Sequence, residues 1–297
     1  MSNPVDHALL TRFNLPTPGV ESLVRAQDGW LRKRVDLFEK YCVPSVLAQT
    51  NQHFHWIIYF DPESPDWLLE RITDFEARQT FVAIFRESVS PAELIEDLRR
   101  VTGASGSTLL TTNLDNDDGI AVDCVDRLQR CAPVAPRSAL YLSRGLILSS
   151  RSLHLRVDRH NAFCSVRESW DDPNTCWLDW HDLLPRHMPV TLIDGEPGWI
   201  QVVHGTNVSN RVKGRLVRVG DYPKLFPGLI DDIDDPGRLA LAFAHLVVEP
   251  LRGIWGGTRI FAKRMARAVL GKDGLDRLKN RLAMMRSGTK SSERPSR

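Results

Sequence analysis

The sequence has no disulfide framework: its five cysteines (Cys42, Cys124, Cys131, Cys164, Cys176) are an odd number without a C-x-x-C pair. That excludes a zinc ribbon and leaves reduced, buried thiols as the expectation. Long apolar runs are also missing. The longest, around Leu239–Val248, is about half of the roughly 20 residues needed to cross a bilayer. The opening MSNPVDHALLTRFNLP carries Asp6 and has no extended apolar stretch of the kind a secretory leader needs. These absences predict a cytoplasmic protein. Charge of one sign is scarce too: the net is +2 over 297 residues, so no whole-molecule field draws nucleic acid, and no helix-turn-helix or RNA-binding motif is present. Glycine is rare where a phosphate-cradling loop would require it, since residues 8–20 contain only Gly19. The remainder, 42% hydrophobic and 26% charged, is enough for a sizeable core without cross-links.

Strand and helix signals alternate through the first half. Ala8–Phe13 is a short apolar run ended by Asn14 and Pro16, a predicted first strand. Residues 30–49 follow at helical spacing, with Leu31, Val35, Phe38, Cys42 and Val46 on one face. His55–Phe60 is a dense β-branched and aromatic run closed by Asp61-Pro62. A helix is predicted from Asp66 to Phe75 and a strand over Phe81–Phe85. Ser90-Pro91-Ala92-Glu93 supplies an N-cap, a first-turn proline and an acidic first turn for a helix reaching Val101. Thr108–Leu114 then runs directly into Asp115-Asn116-Asp117-Asp118. Repeated β-α-β units predict an α/β fold, with a Rossmann-like, mostly parallel central sheet and flanking helices. Ligands of such sheets bind beyond the carboxyl ends of the strands, which directs attention to Arg12, Asn14, Asp61 and the acidic cluster.

The second half is less regular. Ala139–Ser149 reads as a hairpin turning at Arg144-Gly145, and residues 150–210 hold four of the eight tryptophans among loops and short strands. The expected divisions are a main domain over 1–237, a basic helical extension over 238–286 and a disordered polar tail over 287–297. Residues 259–286 carry nine Lys or Arg against Asp273 and Asp276, a formal +7. A basic amphipathic helix of that kind either stays solvated on the domain or lies on anionic lipid at the inner face of a plasma membrane.

The stretch TTNLDNDDGI (111–120) is the most informative. Carboxylates crowded at the mouth of a parallel sheet need a neutralising positive charge. Hard oxygen ligands suit Mg²⁺ or Mn²⁺, which can bridge nucleotide phosphates and stabilise a departing diphosphate. Asp115 and Asp117, two apart, face one side of an extended chain. An EF-hand is excluded, because counting from Asp115 its glycine and glutamate positions fall on Ile120 and Asp126. An ordinary turn, in which Asn and Asp cap their own backbone, is the competing reading.

LTRFN (10–14), the 30–50 helix, FHWIIYFD (54–61), TTNLDNDDGI and WIQVVHGTNVSNR (199–211) together resemble the bacterial rhamnosyltransferase family, a branch of the GT-A glycosyltransferases. The resemblance runs from about residue 8 to 215, and Asn113 stands where the family often has an arginine. It implies a nucleotide-binding half over about 8–120 and an acceptor half over about 121–215. Thr11, Arg12 and Phe13 would cradle the nucleotide, and Asp61 would accept a hydrogen bond from the base of a UDP- or dTDP-sugar. Asp115 and Asp117 would hold ribose and metal, with His204, at the end of an apolar run, as a further metal ligand. An acceptor hydroxyl also needs a base. Glu168, after the alternating run from Phe163, is the favoured candidate; Asp171 and Asp172 look like turn caps, and His181 is an outside candidate. Trp170, Trp177 and Trp180 either stack on sugar or pack the core. The implied function is a metal-dependent, inverting transfer of a sugar, rhamnose by the family's name, onto a glycan or lipid-linked acceptor. A catalytically silent nucleotide- or sugar-binding module and a sugar-phosphate or nucleotidyl transferase are the competing readings.

Overall fold

In the computed structural model, residues 5–16, 29–149, 152–204 and 212–248 are described. The chain divides into two units, 1–237 and 238–297. Of the second, only the helical stretch Arg238–Val248 falls within the described residues, so the basic segment 259–286 and the polar tail lie outside them. No helix among the described residues is long and apolar enough to cross a membrane.

The first unit holds two sheets. Its strands in chain order are β1 (Val5–Arg12), β2 (His55–Phe60), β3 (Val82–Phe85), β4 (Thr108–Asn113), β5 (Gly119–Ile120), β6 (Ser138–Leu142), β7 (Arg144–Ser149), β8 (Ser152–Val157), β9 (Ser165–Ser169), β10 (Val190–Ile193), β11 (Trp199–Val203) and β12 (Arg215–Val217). The larger sheet has the order β10-β6-β9-β4-β1-β2-β3, the smaller β12-β8-β7-β11-β5. In the larger one only β9 runs against its neighbours; the other pairings are parallel.

Burial on both faces explains why the parallel strands read as continuous apolar runs. In β2, Trp56, Ile58 and Phe60 pack with Val35, Phe38, Leu68 and Ile72 of the helices on one side. Ile57 and Tyr59 pack with Leu94 and Leu98 of the helix Pro91–Thr102 on the other. That helix begins with a full capping box, Ser90 and Glu93 each satisfying the other's backbone N–H, and ends at Gly103 in the left-handed conformation. The helical run predicted for 30–49 is continuous from Trp30 to Leu47, with a π-helical stretch at Phe38–Cys42. The smaller sheet packs Leu146, Leu148, Ile200 and Val202 against Phe226, Leu229 and Ile230.

The hairpin expected over Ala139–Ser149 is not formed. β6 stays in the larger sheet beside β9 and β10, whereas β7 joins β8 and β11 in the smaller. Gly145 is not the apex of a turn. A Cβ there would meet the Trp199 indole at 2.0 Å, so this glycine allows the two strands to close on a stacked Trp199–Phe163 pair, 5.0 Å between ring centroids.

Beneath the sheet's carboxyl edge, His7 is buried, with Nε2 2.9 Å from Thr112 Oγ1 and Nδ1 3.3 Å from Gln129 Nε2. Burial first, then the charge of Arg167, push its imidazole down from the usual 6.5 to about 3. The folded protein therefore refuses a proton that the unfolded chain accepts. His7's contribution is intact above about pH 6.5 and is lost progressively as pH falls toward 3, by about 1.4 kcal/mol per unit. Between pH 7 and 5.5 the stability of wild type should fall by about 1 kcal/mol more than that of His7→Asn, read from urea midpoints.

Candidate functional site

The carboxyl ends of β1, β2, β4, β6 and β10 share one edge, and the loop before β9 arrives there because β9 is antiparallel. A cleft of about 660 Å³ opens at this edge. Its lining includes Arg12, Asn113 and Asp115 from the ends of β1 and β4, and Trp177, Asp179, Trp180 and His181 from the segment after β9. Trp199 and Gln201, two apart on β11, line the floor with Phe163; Arg156, Asp158 and Lys213 complete the rim.

A chain of contacts joins these two groups of lining residues. The Arg12 guanidinium lies 4.1 Å from the Trp177 ring centroid. Trp177 Nε1 donates to Asn113 Oδ1 at 2.8 Å, and Asn113 Nδ2 donates to Ala162 O at 2.9 Å and to Asp115 Oδ1 at 3.3 Å. Asn113 thus bridges the end of β4 and the loops on either side of β9. Asp115 is open to the cleft and enclosed by protein elsewhere. That desolvation, with the neighbouring Asp117 charge, pushes its carboxyl above the usual carboxylate range.

The rest of the cluster turns inward. Asp118 is buried and accepts the Val202 N–H at 2.8 Å, tying the acidic turn to β11. Burial, then Asp117 and Asp115, push it well above the ordinary range. Asn116 donates to Phe13 O at 2.8 Å. Asp117 Oδ2 lies 2.6 Å from Arg34 Nη1 and 2.8 Å from His204 Nε2. Burial works against ionisation of Asp117, but the His204 hydrogen bond and the Arg34 charge hold it below the usual range.

Of the residues expected to cradle a nucleotide, Arg12 and Asp115 line the cleft. Thr11 does not: it is fully buried, donating to Leu114 O at 2.8 Å and accepting from Trp56 Nε1 at 3.0 Å. Phe13 belongs to the core, against Phe38 and Phe60. Asp61 stands at the end of β2, where its carboxylate caps its own turn through Glu63 N–H at 2.8 Å. Among the expected metal ligands, Asp117 and His204 meet, at 2.8 Å, where the turn leading into β5 approaches the end of β11. No three His, Cys, Asp or Glu side chains among the described residues converge as a metal-holding group. Arg34 already occupies the oxygen shared with His204, so the expected set of Asp115, Asp117 and His204 does not fit a divalent ion in this arrangement.

Glu168 is placed away from the cleft. It pairs with Leu109 near the start of β4, three residues down the ladder from the Ser165–Thr112 pair at the cleft edge, about 10 Å along the strand. It is 1% exposed and accepts backbone N–H groups of Asn174 and Thr175, with Arg137 Nε 2.9 Å away. Its role is to hold the chain segment that climbs the sheet face toward Trp177. A carboxylate that does line the cleft is Asp179, which accepts from Trp180 N–H at 2.8 Å and lies 2.8 Å from His187 Nε2. Of the tryptophans, Trp170 donates to buried Asp6 away from the cleft, whereas Trp180 is 75% exposed at its rim.

The family model described as "Putative rhamnosyl transferase" matches residues 6–216. No curated protein matches. Among solved structures, S. aureus TarS 1-349 is similar at 9% identity over 66% of this chain and 60% of that chain, with a TM-score of 0.37; the match therefore spans about three fifths of that protein. The inositol-1-phosphate CTP transferase from T. maritima is similar at 10% identity over 78% of this chain and 99% of that one, with a TM-score of 0.38. The larger sheet is of the expected α/β type, mostly parallel with helices on both faces. Matched over most of its length, this chain belongs to the family described as putative rhamnosyl transferase.

Proposed function

We propose that the chain transfers a hexosyl group, rhamnose being the first to test, from a UDP- or dTDP-sugar to a hydroxyl of a glycan or lipid-linked acceptor, inverting the anomeric centre. The observation that carries this reading is the convergence of unlike groups on one cleft. Arg12 and Asp115 come from the ends of the first and fourth parallel strands, and Asp179, a carboxylate flanked by Trp177 and Trp180, comes from the segment after β9. A guanidinium suits a diphosphate, and indoles suit the apolar faces of a sugar.

In this reading the acceptor hydroxyl lies against Trp180 and loses its proton to Asp179. The acceptor oxygen forms its bond to the anomeric carbon as the bond to the diphosphate oxygen breaks, and that electron pair leaves with the nucleotide. Attack from the face opposite the leaving group inverts the centre. Asp115 serves the nucleotide rather than the proton, since it comes, like Arg12, from a strand end.

Calorimetric titration of UDP, dTDP and GDP tests the reading. One of them should bind with a Kd between about 1 μM and 1 mM, as substrate ligands usually do. Arg12→Ala should weaken it at least about tenfold, the scale of one charge-assisted contact. Failure of all three to bind would leave the silent-module reading in its place.

A further inference from the structure

We infer that Arg34 is the built-in counter-cation of the acidic turn, holding the position at Asp117 that a divalent ion would otherwise take. The inference concerns the nucleotide side of the proposed site. Three carboxylates within four residues, Asp115, Asp117 and Asp118, need positive charge close by. The fold supplies it from a helix more than eighty residues away in sequence. Arg34 Nη1 is 2.6 Å from Asp117 Oδ2 and donates to Asn116 Oδ1 at 3.1 Å. Its guanidinium carbon sits 5.1 Å from the centroid of the Trp30 ring. The side chain is only 16% exposed, so the charge is held in place from several sides.

Asn116 makes the arrangement a fixture. Its Nδ2 donates to Phe13 O at 2.8 Å, which turns its Oδ1 toward Arg34. The middle residue of Asp115-Asn116-Asp117 is therefore a clamp between β1 and the Trp30–Leu37 helix, not a spacer. His204 Nε2 fills the other approach to Asp117 Oδ2, at 2.8 Å. A Mg²⁺ or Mn²⁺ ion takes carboxylate oxygens at about 2.1 Å. Bound to Asp117 Oδ2 it would stand against the guanidinium, and like charges so close exclude one another. Arginine and metal compete for one oxygen, and the packing of Arg34 favours the arginine. Its planar fork also has donors beyond Nη1 with which to meet phosphate oxygens.

Mn²⁺ alone is the probe, and the amplitude of the free-ion electron paramagnetic resonance signal is the readout. Because no nucleotide is present, the outcome is independent of whether UDP, dTDP or GDP binds. Wild type should leave the signal undiminished at ion concentrations up to about 1 mM, a weak-binding limit. Arg34→Met, which keeps length and removes charge, should bind one Mn²⁺ at least about tenfold more tightly than wild type. Arg34→Gln, which keeps hydrogen bonding to Asn116 and is the variant to use should Arg34→Met not fold, should do the same. Arg34→Lys should behave as wild type, and adding Asp117→Asn to Arg34→Met should abolish the gained site. The inference is overturned by wild type binding Mn²⁺ with a Kd below about 100 μM that Asp117→Asn removes. It is equally overturned by folded charge-removing variants that bind no more tightly than wild type.

Discussion

Asp179→Asn should lower kcat by roughly 10²–10⁴-fold, the usual contribution of a positioned base, while nucleotide affinity stays within about twofold. The split follows from position. Asp179 reaches the cleft from the segment after β9, separate from the strand ends that carry Arg12 and Asp115, so removing its charge is expected to leave the donor's contacts intact. The amide conserves shape and can still accept the Trp180 N–H, but it cannot take a proton. The hydrogen bond from His187, then that from the Trp180 backbone, hold Asp179 below the usual carboxylate range. A lowered carboxyl stays ionised down to more acidic pH, so activity should be lost only below that range. His187→Ala removes the first of those partners and should move the acid limb of kcat/KM upward. A loss smaller than about fivefold in Asp179→Asn is far short of a base's contribution; His181, from the same segment, would become the next candidate.

How much of this was legible depends on whether the signal was local. His55–Phe60 is the observed β2 residue for residue, because burial on both faces leaves an unbroken apolar run between polar ends. The Ser90–Glu93 cap is equally local and equally visible. The placement of Asp115-Asn116-Asp117-Asp118 after β4 followed from counting β-α units. The parallel direction of the first four strands followed from the same count, but the reversed direction of β9 and the sheet membership of the later strands were not legible. The apolar runs Ala139–Leu142 and Gly145–Ser149 suggest strands but cannot say that they enter different sheets. Gly145 resembled a turn residue when its function is to make room for an indole. The site's partners were hidden for the same reason. Arg34 is one of several charges in a helix, and nothing near it in sequence reveals that it meets Asp117. Asp179 lies in a stretch without periodicity, where no pattern indicates which side chains face the cleft.

Glu168→Ala should cost about 2–4 kcal/mol and lower Tm by roughly 5–15 °C, without being a loss of catalytic chemistry. Removing one partner of a buried ion pair is ordinarily dearer, about 3–5 kcal/mol; here Arg137 is 38% exposed and regains water. The larger effect is on the backbone. Glu168 accepts the Asn174 N–H at 3.0 Å and the Thr175 N–H at 2.7 Å, and Thr175 adopts a φ of 64°. Left-handed backbone at a β-branched residue costs about 1–3 kcal/mol and persists only where its surroundings enforce it. That turn delivers Cys176, whose N–H donates to Thr111 Oγ1 at 2.9 Å, and then Trp177, whose N–H donates to Thr175 Oγ1 at 3.2 Å. Glu168 is thus a positioning residue for the segment after β9. Glu168→Gln separates this role from that of a base, because it retains size and one acceptor oxygen but cannot take a proton. Assayed well below its melting temperature, it should keep kcat within about fivefold while its Tm falls. A drop of about 10² or more in kcat with an unchanged Tm would return the base to Glu168, despite its place about 10 Å down the sheet from the cleft.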